Sequence, residues 1–439
     1  MPLLVLGLAT LLLASAAGAW YALPHGGVWL GGSPSAAVPS GAGSSGSESE
    51  AASERSSEPA GGKASEAAAE PAQPPLSSEE FRRVIASYEA NHPKDHRGIY
   101  ISGATAGTPR MWNTLIHLVE RTELNAVVID VKEDGHVLYD SQDPLVRSVG
   151  AIKVEIPRLK EQLDELHQKH IYAIARIVTF KDSGLAKAHP EWAVQDARGG
   201  VWRDRTGAAW MNAYNENVWE YNIAIAKEAV RLGFDEIQFD YVRFPSDGAI
   251  RQARYPGANG RTRVEAITGF LERARTELGR MGVPVSADIF GLIPTALDDQ
   301  MIGQHWEEAA AAVHFISPMA YPSHYAPRTF GLPNPNAAPA ETVAHTMDDA
   351  IRRRPPGGAL VRPWLQDFSL YGVHYTPEMV RAEIDAAERH GAVGWLLWNA
   401  ANCYKPDALK PDPNAPPLPK FGDHSTCEAA VSRVLNGGE

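Results

Sequence analysis

The chain has 439 residues, 44% of them hydrophobic, enough to bury a large core, and this excludes disorder throughout. Its formal charge is -12, from 53 acidic against 41 basic residues, and no lysine or arginine cluster forms a phosphate-tracking stripe, so no nucleic-acid partner is expected. The two cysteines, Cys403 and Cys427, lack any Cys/His spacing, which argues against structural zinc and leaves one disulfide or two thiols.

Residues 1–30 open on an uncharged run of Leu, Ala, Val and Gly. That run reads either as a signal peptide, with Ala14, Ala16 and Ala17 suited to cleavage, or as an uncleaved membrane anchor. An extracytoplasmic protein, secreted or tethered to the membrane, is therefore expected. Residues 31–76 are Ser, Gly, Ala, Glu and Pro with almost no large apolar side chain, the composition of a disordered linker. From Ser77 to the C-terminus the composition is globular.

Eight short runs rich in Val, Ile and aromatics then alternate with amphipathic helical stretches. The predicted strands begin at Gly98, Ala126, Tyr172, Glu236, Val283, Phe315, Leu360 and Gly394. The predicted helices span 110–121, 156–169, 217–232, 263–281, 304–312, 341–353 and 377–390. This alternation predicts an α/β fold, a (β/α)8 TIM-type barrel over 77–439 with a C-terminal extension. No GxGxxG follows the first strand, so no dinucleotide is implied, and no cofactor is expected.

TIM barrels keep their chemistry at the C-terminal strand ends, and period-two alternation says which residues face inward there. Apolar residues face the outer helices, so Ile237, Phe239 and Tyr241 point outward and Gln238 and Asp240 inward. The same alternation turns Asp288, Asp130 and Lys132 into the lumen, with Arg176, Tyr321, Trp364, Gln366 and Trp398 further round. Arg243, His324 and Asn399 follow on the adjoining loops. An acidic, aromatic and amide-rich mouth suits a polysaccharide or oligosaccharide, whose ring faces stack on aromatics and whose hydroxyls bond to polar groups. Two carboxylates also suit glycosidic hydrolysis, one as acid and one as nucleophile or base, and Asp240 and Asp288 are the candidates. Arg176 and Arg243 orient carboxylates or substrate. Asp130, Glu133, Asp134 and His136 form only an unspecific metal-ligand pattern, so no metal is expected.

The segments FDEIQFDYVRFPSDG from Phe234, SADIFGLI from Ser286, ISPMAYPSHY from Ile316, RPWLQDF from Arg362 and GWLLWNA from Gly394 carry a resemblance. Together they resemble the Putative glycosyl hydrolase domain family of bacterial TIM-type barrels, from about Arg97 to Tyr404. The resemblance implies glycoside hydrolase chemistry of unassigned specificity. The barrel is more distantly similar to amylase-type barrels, where an Asp ending the fourth strand is the nucleophile and a carboxylate ending the fifth the acid. By that analogy Asp240 is the nucleophile and Asp288 the acid, although the fifth-strand acid there is generally Glu. Two other functions fit the same residues: a carbohydrate-binding barrel without turnover, and a metal-dependent deacetylase.

Overall fold

The computed structural model describes residues 95–415. The expected export or anchor segment, the linker and Cys427 lie outside the described residues. Cys403 is disulfide-bonded. Among the described residues no helix is long and apolar enough to cross a membrane.

The strands are β1 His96–Ile101, β2 Ala126–Glu133, β3 His136–Val137, β4 Tyr172–Val178, β5 Glu236–Asp240, β6 Val285–Phe290, β7 Phe315–Met319, β8 Leu360–Val361, β9 Trp364–Gln366 and β10 Gly394–Trp398. The helices are α1 Gly103–Ala106, α2 Pro109–Arg121, α3 Pro144–Val149, α4 Leu159–Gln168, α5 Ser183–Ala188, α6 Glu216–Leu232, α7 Arg263–Gly279, α8 Trp306–Ala312, α9 Pro339–Arg353 and α10 Pro377–Arg389. Parallel pairing runs from β1 through β2, β4, β5, β6, β7, β9 and β10 and returns to β1, which closes an eight-position barrel. β8 and β9 are one barrel strand interrupted at Arg362–Pro363, because proline has no N–H for the ladder. Closure brings β10 tight against β1. Gly394 sits there at φ +89°, where a Cβ would stand 2.2 Å from the His96 carbonyl oxygen.

Several helices end on local sequence signals. Asn215 caps α6 through its side chain, and Gly233 ends that helix in the left-handed conformation. Thr262 and Glu265 form a reciprocal capping box on α7. The apolar faces meet as expected: Val127, Ile129, Val131, Ile237, Phe239, Val285, Ala287 and Ile289 join the core beneath the helices. A second core fills the lumen with Tyr100, Val128, Tyr172, Ile174, Phe315, Trp364 and Leu396. Strands apolar on both faces are what a barrel sheathed in helices demands.

The floor of the lumen is polar. Arg362, fully buried, donates to both carboxylate oxygens of Glu236, one of them at 3.2 Å from Nη1, and lies 4.6 Å over the Phe315 ring. Glu236 also accepts from Ser286 Oγ at 2.5 Å and Tyr172 Oη at 3.2 Å, and Tyr172 stacks on His96 at 3.8 Å. Removing one member of a buried ion pair leaves the other uncompensated, which costs roughly 3–5 kcal/mol. Arg362→Met is therefore expected to lower the denaturation free energy by about that amount. Adding Glu236→Gln should recover part of the loss in the same urea titration.

Candidate active site

Four ionisable side chains reach the top of the lumen because each strand alternates. Asp130 on β2 registers with Arg176 on β4, Val178 with Asp240, and Asp288 on β6 with Ser317. Arg176 is buried and holds the group together. Its Nη1 donates to Asp130 Oδ1 at 2.5 Å, and its Nε and Nη2 both donate to Asp240 Oδ2, the former at 3.1 Å. The same Nε lies 3.9 Å from Asp288 Oδ2. The Asp240 and Asp288 oxygens, 3.1 and 3.9 Å from one nitrogen, are thus at most their sum, about 7 Å, apart. Two carboxyls that close can flank a single glycosidic bond.

The surroundings treat the two differently. Asp240 Oδ1 accepts the Tyr241 N–H at 2.5 Å, so both its oxygens are occupied by donors. This contact requires Tyr241 at φ +50°, a conformation disfavoured for an aromatic residue and held only where surrounding structure imposes it. Asp288 is 1% exposed, and burial, followed by repulsion from Asp240, holds its pKa well above the usual carboxylate range. Arg176 and the Trp364 indole, which donates to Asp288 Oδ1 at 2.7 Å, offset only part of this. Asp288 is therefore the carboxyl of the pair biased toward its protonated form.

Asp130 is shared among three neighbours. Tyr100 Oη donates to Asp130 Oδ2 at 2.5 Å, and the Glu133 carboxyl hydrogen-bonds to it. Burial, then the negative charge of Asp130, pushes Glu133 up to about 8, so it keeps its proton and bonds as a donor. Tyr100 stacks on Trp398 at 4.1 Å, Trp398 meets Trp364 edge-on at 5.5 Å, and the Arg176 guanidinium sits 5.1 Å from the Trp398 ring centre.

These groups border a cavity of about 90 Å3, room for several waters. Arg176, Asp240, Arg243, Asp288, Tyr321 and Trp364 are its buried wall, and Tyr241, Phe290, Met319, His324 and Trp398 its half-buried rim. Burial lowers the His324 imidazole to about 4, so it is neutral, with Nδ1 bonded to Ser323 Oγ at 2.9 Å.

Five of the expected site residues stand elsewhere. Lys132 was expected in the lumen but pairs with Asp182 at 2.8 Å and lies 5.9 Å from the Tyr221 ring of α6. A bulge shifts the β2–β4 register between Asp130 and Lys132, which undoes the alternation there. Gln238 faces inward one layer below the mouth and is fully buried, 3.4 Å from Ser317 Oγ. Gln366 supports the His324 loop, accepting from Ser323 N at 3.0 Å and donating to the Phe368 carbonyl at 2.9 Å. Asn399 spends its amide on the Asp367 and Cys403 carbonyls and its oxygen on Ala401 N. Asp130 orients Arg176 rather than lining the cavity. Tyr241, expected to face the helices, is swung onto the rim by its positive φ. Asp134 is drawn off to Ser183 N at 2.8 Å, so the Asp130, Glu133, Asp134 and His136 pattern gathers no ligand set. Among the described residues only His305, Glu307 and Glu308 converge as a ligand trio, and Glu307 is paired with Arg353.

Tyr100 is absent from the expected site residues, and Glu133 enters them only within the unspecific metal-ligand pattern. Tyr100 was legible, since Ile99 and Ile101 face outward and leave it inside. Glu133 was not, because it follows the bulge.

A closed (β/α)8 barrel that joins two unequal carboxyls, a guanidinium and stacked aromatics at its mouth is a glycoside hydrolase-like TIM barrel. The chain belongs to the Putative glycosyl hydrolase domain family, whose profile matches residues 98–404. The PgaB (BpsB) glycoside hydrolase domain from Bordetella bronchiseptica shares the fold at 13% identity and TM-score 0.53, over 70% of this chain and 94% of that one. A hypothetical protein from Ruminiclostridium thermocellum is 42% identical, with TM-score 0.41, over 44% of this chain and 99% of its own. The α-galactosidase TtGalA from Thermus thermophilus is 14% identical, with TM-score 0.43, over 73% of this chain and 62% of its own. No curated protein matches.

The Glu133 environment has a measurable sign. A carboxyl whose folded pKa is raised binds more protons folded than unfolded, so its contribution is complete below the unfolded value and is lost as pH rises through the folded one. Wild-type melting temperature should therefore fall between pH values near 4.5 and 8, and Glu133→Gln should flatten that fall in a calorimetric pH series.

Proposed function

We propose that this protein hydrolyses glycosidic bonds in an extracellular or cell-envelope polysaccharide, with Asp288 as general acid and Asp240 as nucleophile or base. One observation carries the reading: two carboxyls beside the same Arg176 nitrogen stand in unequal surroundings, Asp240 bonded to donors at both oxygens and Asp288 buried with its pKa held well above the usual carboxylate range. Pairs separated in this way are how hydrolases divide acid and base roles at neutral pH. Asp288 gives its proton to the leaving glycosidic oxygen. Asp240, opposite, either bonds to the anomeric carbon or takes a proton from water. Trp364 and Trp398 offer ring faces and edges to the sugar, and Arg176 keeps Asp240 aimed. The extracytoplasmic setting is supported by the apolar opening segment and the linker that follows it.

Asp288→Asn keeps the Trp364 acceptor and removes the proton the acid would give. Reducing-sugar release from a panel of envelope polysaccharides and exopolysaccharides should fall by about 10²–10⁴-fold, the range typical of a lost acid. The melting temperature at pH 7 should hold or rise. Undiminished release would refute the assignment.

Trp364→Phe removes a donor that stabilises the ionised form of Asp288. Its carboxyl should then titrate higher still, so the alkaline limb of the activity profile moves to higher pH. A limb that stays in place, or moves down, speaks against Asp288 as the acid.

A further inference from the structure

Arg243 is the one guanidinium in the cavity wall that the two-carboxylate chemistry leaves unused. It is 3% exposed. Arg176, its neighbour in the wall, is compensated by Asp130 and Asp240. Arg243 has no carboxylate within ion-pairing distance among the described residues. Its Nη1 donates to the Phe244 carbonyl at 3.1 Å and Ser246 Oγ at 3.2 Å, while Nε and Nη2 have no protein acceptor there and are not sealed from the cavity.

The side chain is nonetheless rigid. Its guanidinium carbon lies 4.3 Å from the Phe290 ring centre, 4.8 Å from that of Trp210 and 5.1 Å from that of Tyr241. Three aromatic faces hold the plane and soften the cost of the buried charge, yet each is worth only about 0.5–2 kcal/mol. Burial pulls the guanidinium below the usual arginine range, with Tyr241, Asp240 and Asp247 opposing from a distance. A buried charge of this kind costs several kcal/mol unless a counter-charge completes it. Sugar hydroxyls alone would not supply one, and an amide side chain would recognise them at lower desolvation cost. The free Nε–Nη2 edge is the fork that takes a carboxylate through two parallel bonds.

We propose that Arg243 determines specificity for an acidic sugar, a uronate-type ring whose carboxylate takes this free edge. The inference deepens the glycosidase reading and rests on its placing the sugar in this cavity. Binding can be read without turnover, so the two fail separately. The full-length protein is titrated calorimetrically with glucuronate, galacturonate and mannuronate, and with glucose, galactose and mannose. At least one uronate should bind about tenfold or more tightly than its hexose, the advantage shrinking with added salt. Arg243→Gln should bring that ratio to within about twofold of unity, and Arg243→Lys, a point charge without the fork, should leave an intermediate ratio. If no uronate outbinds its hexose in the wild type, or if the advantage survives in a folded Arg243→Gln protein, the proposal is wrong. Should glutamine prevent folding, a lysine variant matching the wild-type ratio would overturn it equally. A uronate preference in a protein that cleaves no polysaccharide would sink the hydrolase reading and leave Arg243's role standing.

Discussion

The mouth of this barrel depends on one buried cation. Arg176 has almost no contact with solvent, and a charge so placed persists only with compensating charge and hydrogen bonds. Asp130 and Asp240 supply both, and in doing so they fix where β2 and β5 present their carboxylates to β4. The cation also sets a limit. One guanidinium offsets only part of the charge gathered in a dry site, so burial and then the neighbouring Asp240 raise the pKa of Asp288. The same shortage recurs at Asp130, where Glu133 stays protonated to share a hydrogen with it. The inequality between Asp240 and Asp288 thus comes first from the burial of Asp288 and then from the charge of Asp240 beside it, with Arg176 offsetting only part, rather than from any feature intrinsic to the two aspartates.

A second ion pair anchors the opposite end. Arg362 and Glu236 plug the floor of the lumen with Tyr172, Ser286 and His96 around them. Val128, Ile174, Phe315 and Leu396 belong to the apolar filling of the same lumen. The upper network differs from the lower in meeting a cavity. The floor's charges are fully enclosed, whereas Asp240, Asp288 and Arg243 border open space on one side. Strain lies on the same side: Tyr241 takes its positive φ immediately after Asp240.

Much of this was legible in the chain. Alternation of apolar side chains located all eight barrel strands, and helical periodicity placed seven segments within a few residues of α2, α4, α6, α7, α8, α9 and α10. Both patterns report burial of one face against the sheet or the helices, and burial is what an amphipathic sequence records. The inward direction of Asp240, Asp288, Arg176, Trp364 and Trp398 followed from the same alternation. It failed at Lys132 and Tyr241, for different reasons. A bulge adds a residue to one strand against its partner, and a left-handed residue reverses the chain's course. Neither leaves a mark on the pattern of polar and apolar side chains. The depth of Gln238 and the loop-holding roles of Gln366 and Asn399 were also beyond reach, because alternation gives a direction and not a height.

The sequence by itself determined the class of fold, the closed order of strands and the set of polar side chains available to the lumen. These depend on local periodicity, which each segment carries independently. Only the tertiary structure decided which carboxyl keeps a proton, which arginine is compensated and which amides are consumed in holding loops. Those outcomes arise from distances between strands far apart in the chain and from the water they exclude, and electrostatic energy in a dry site depends on both.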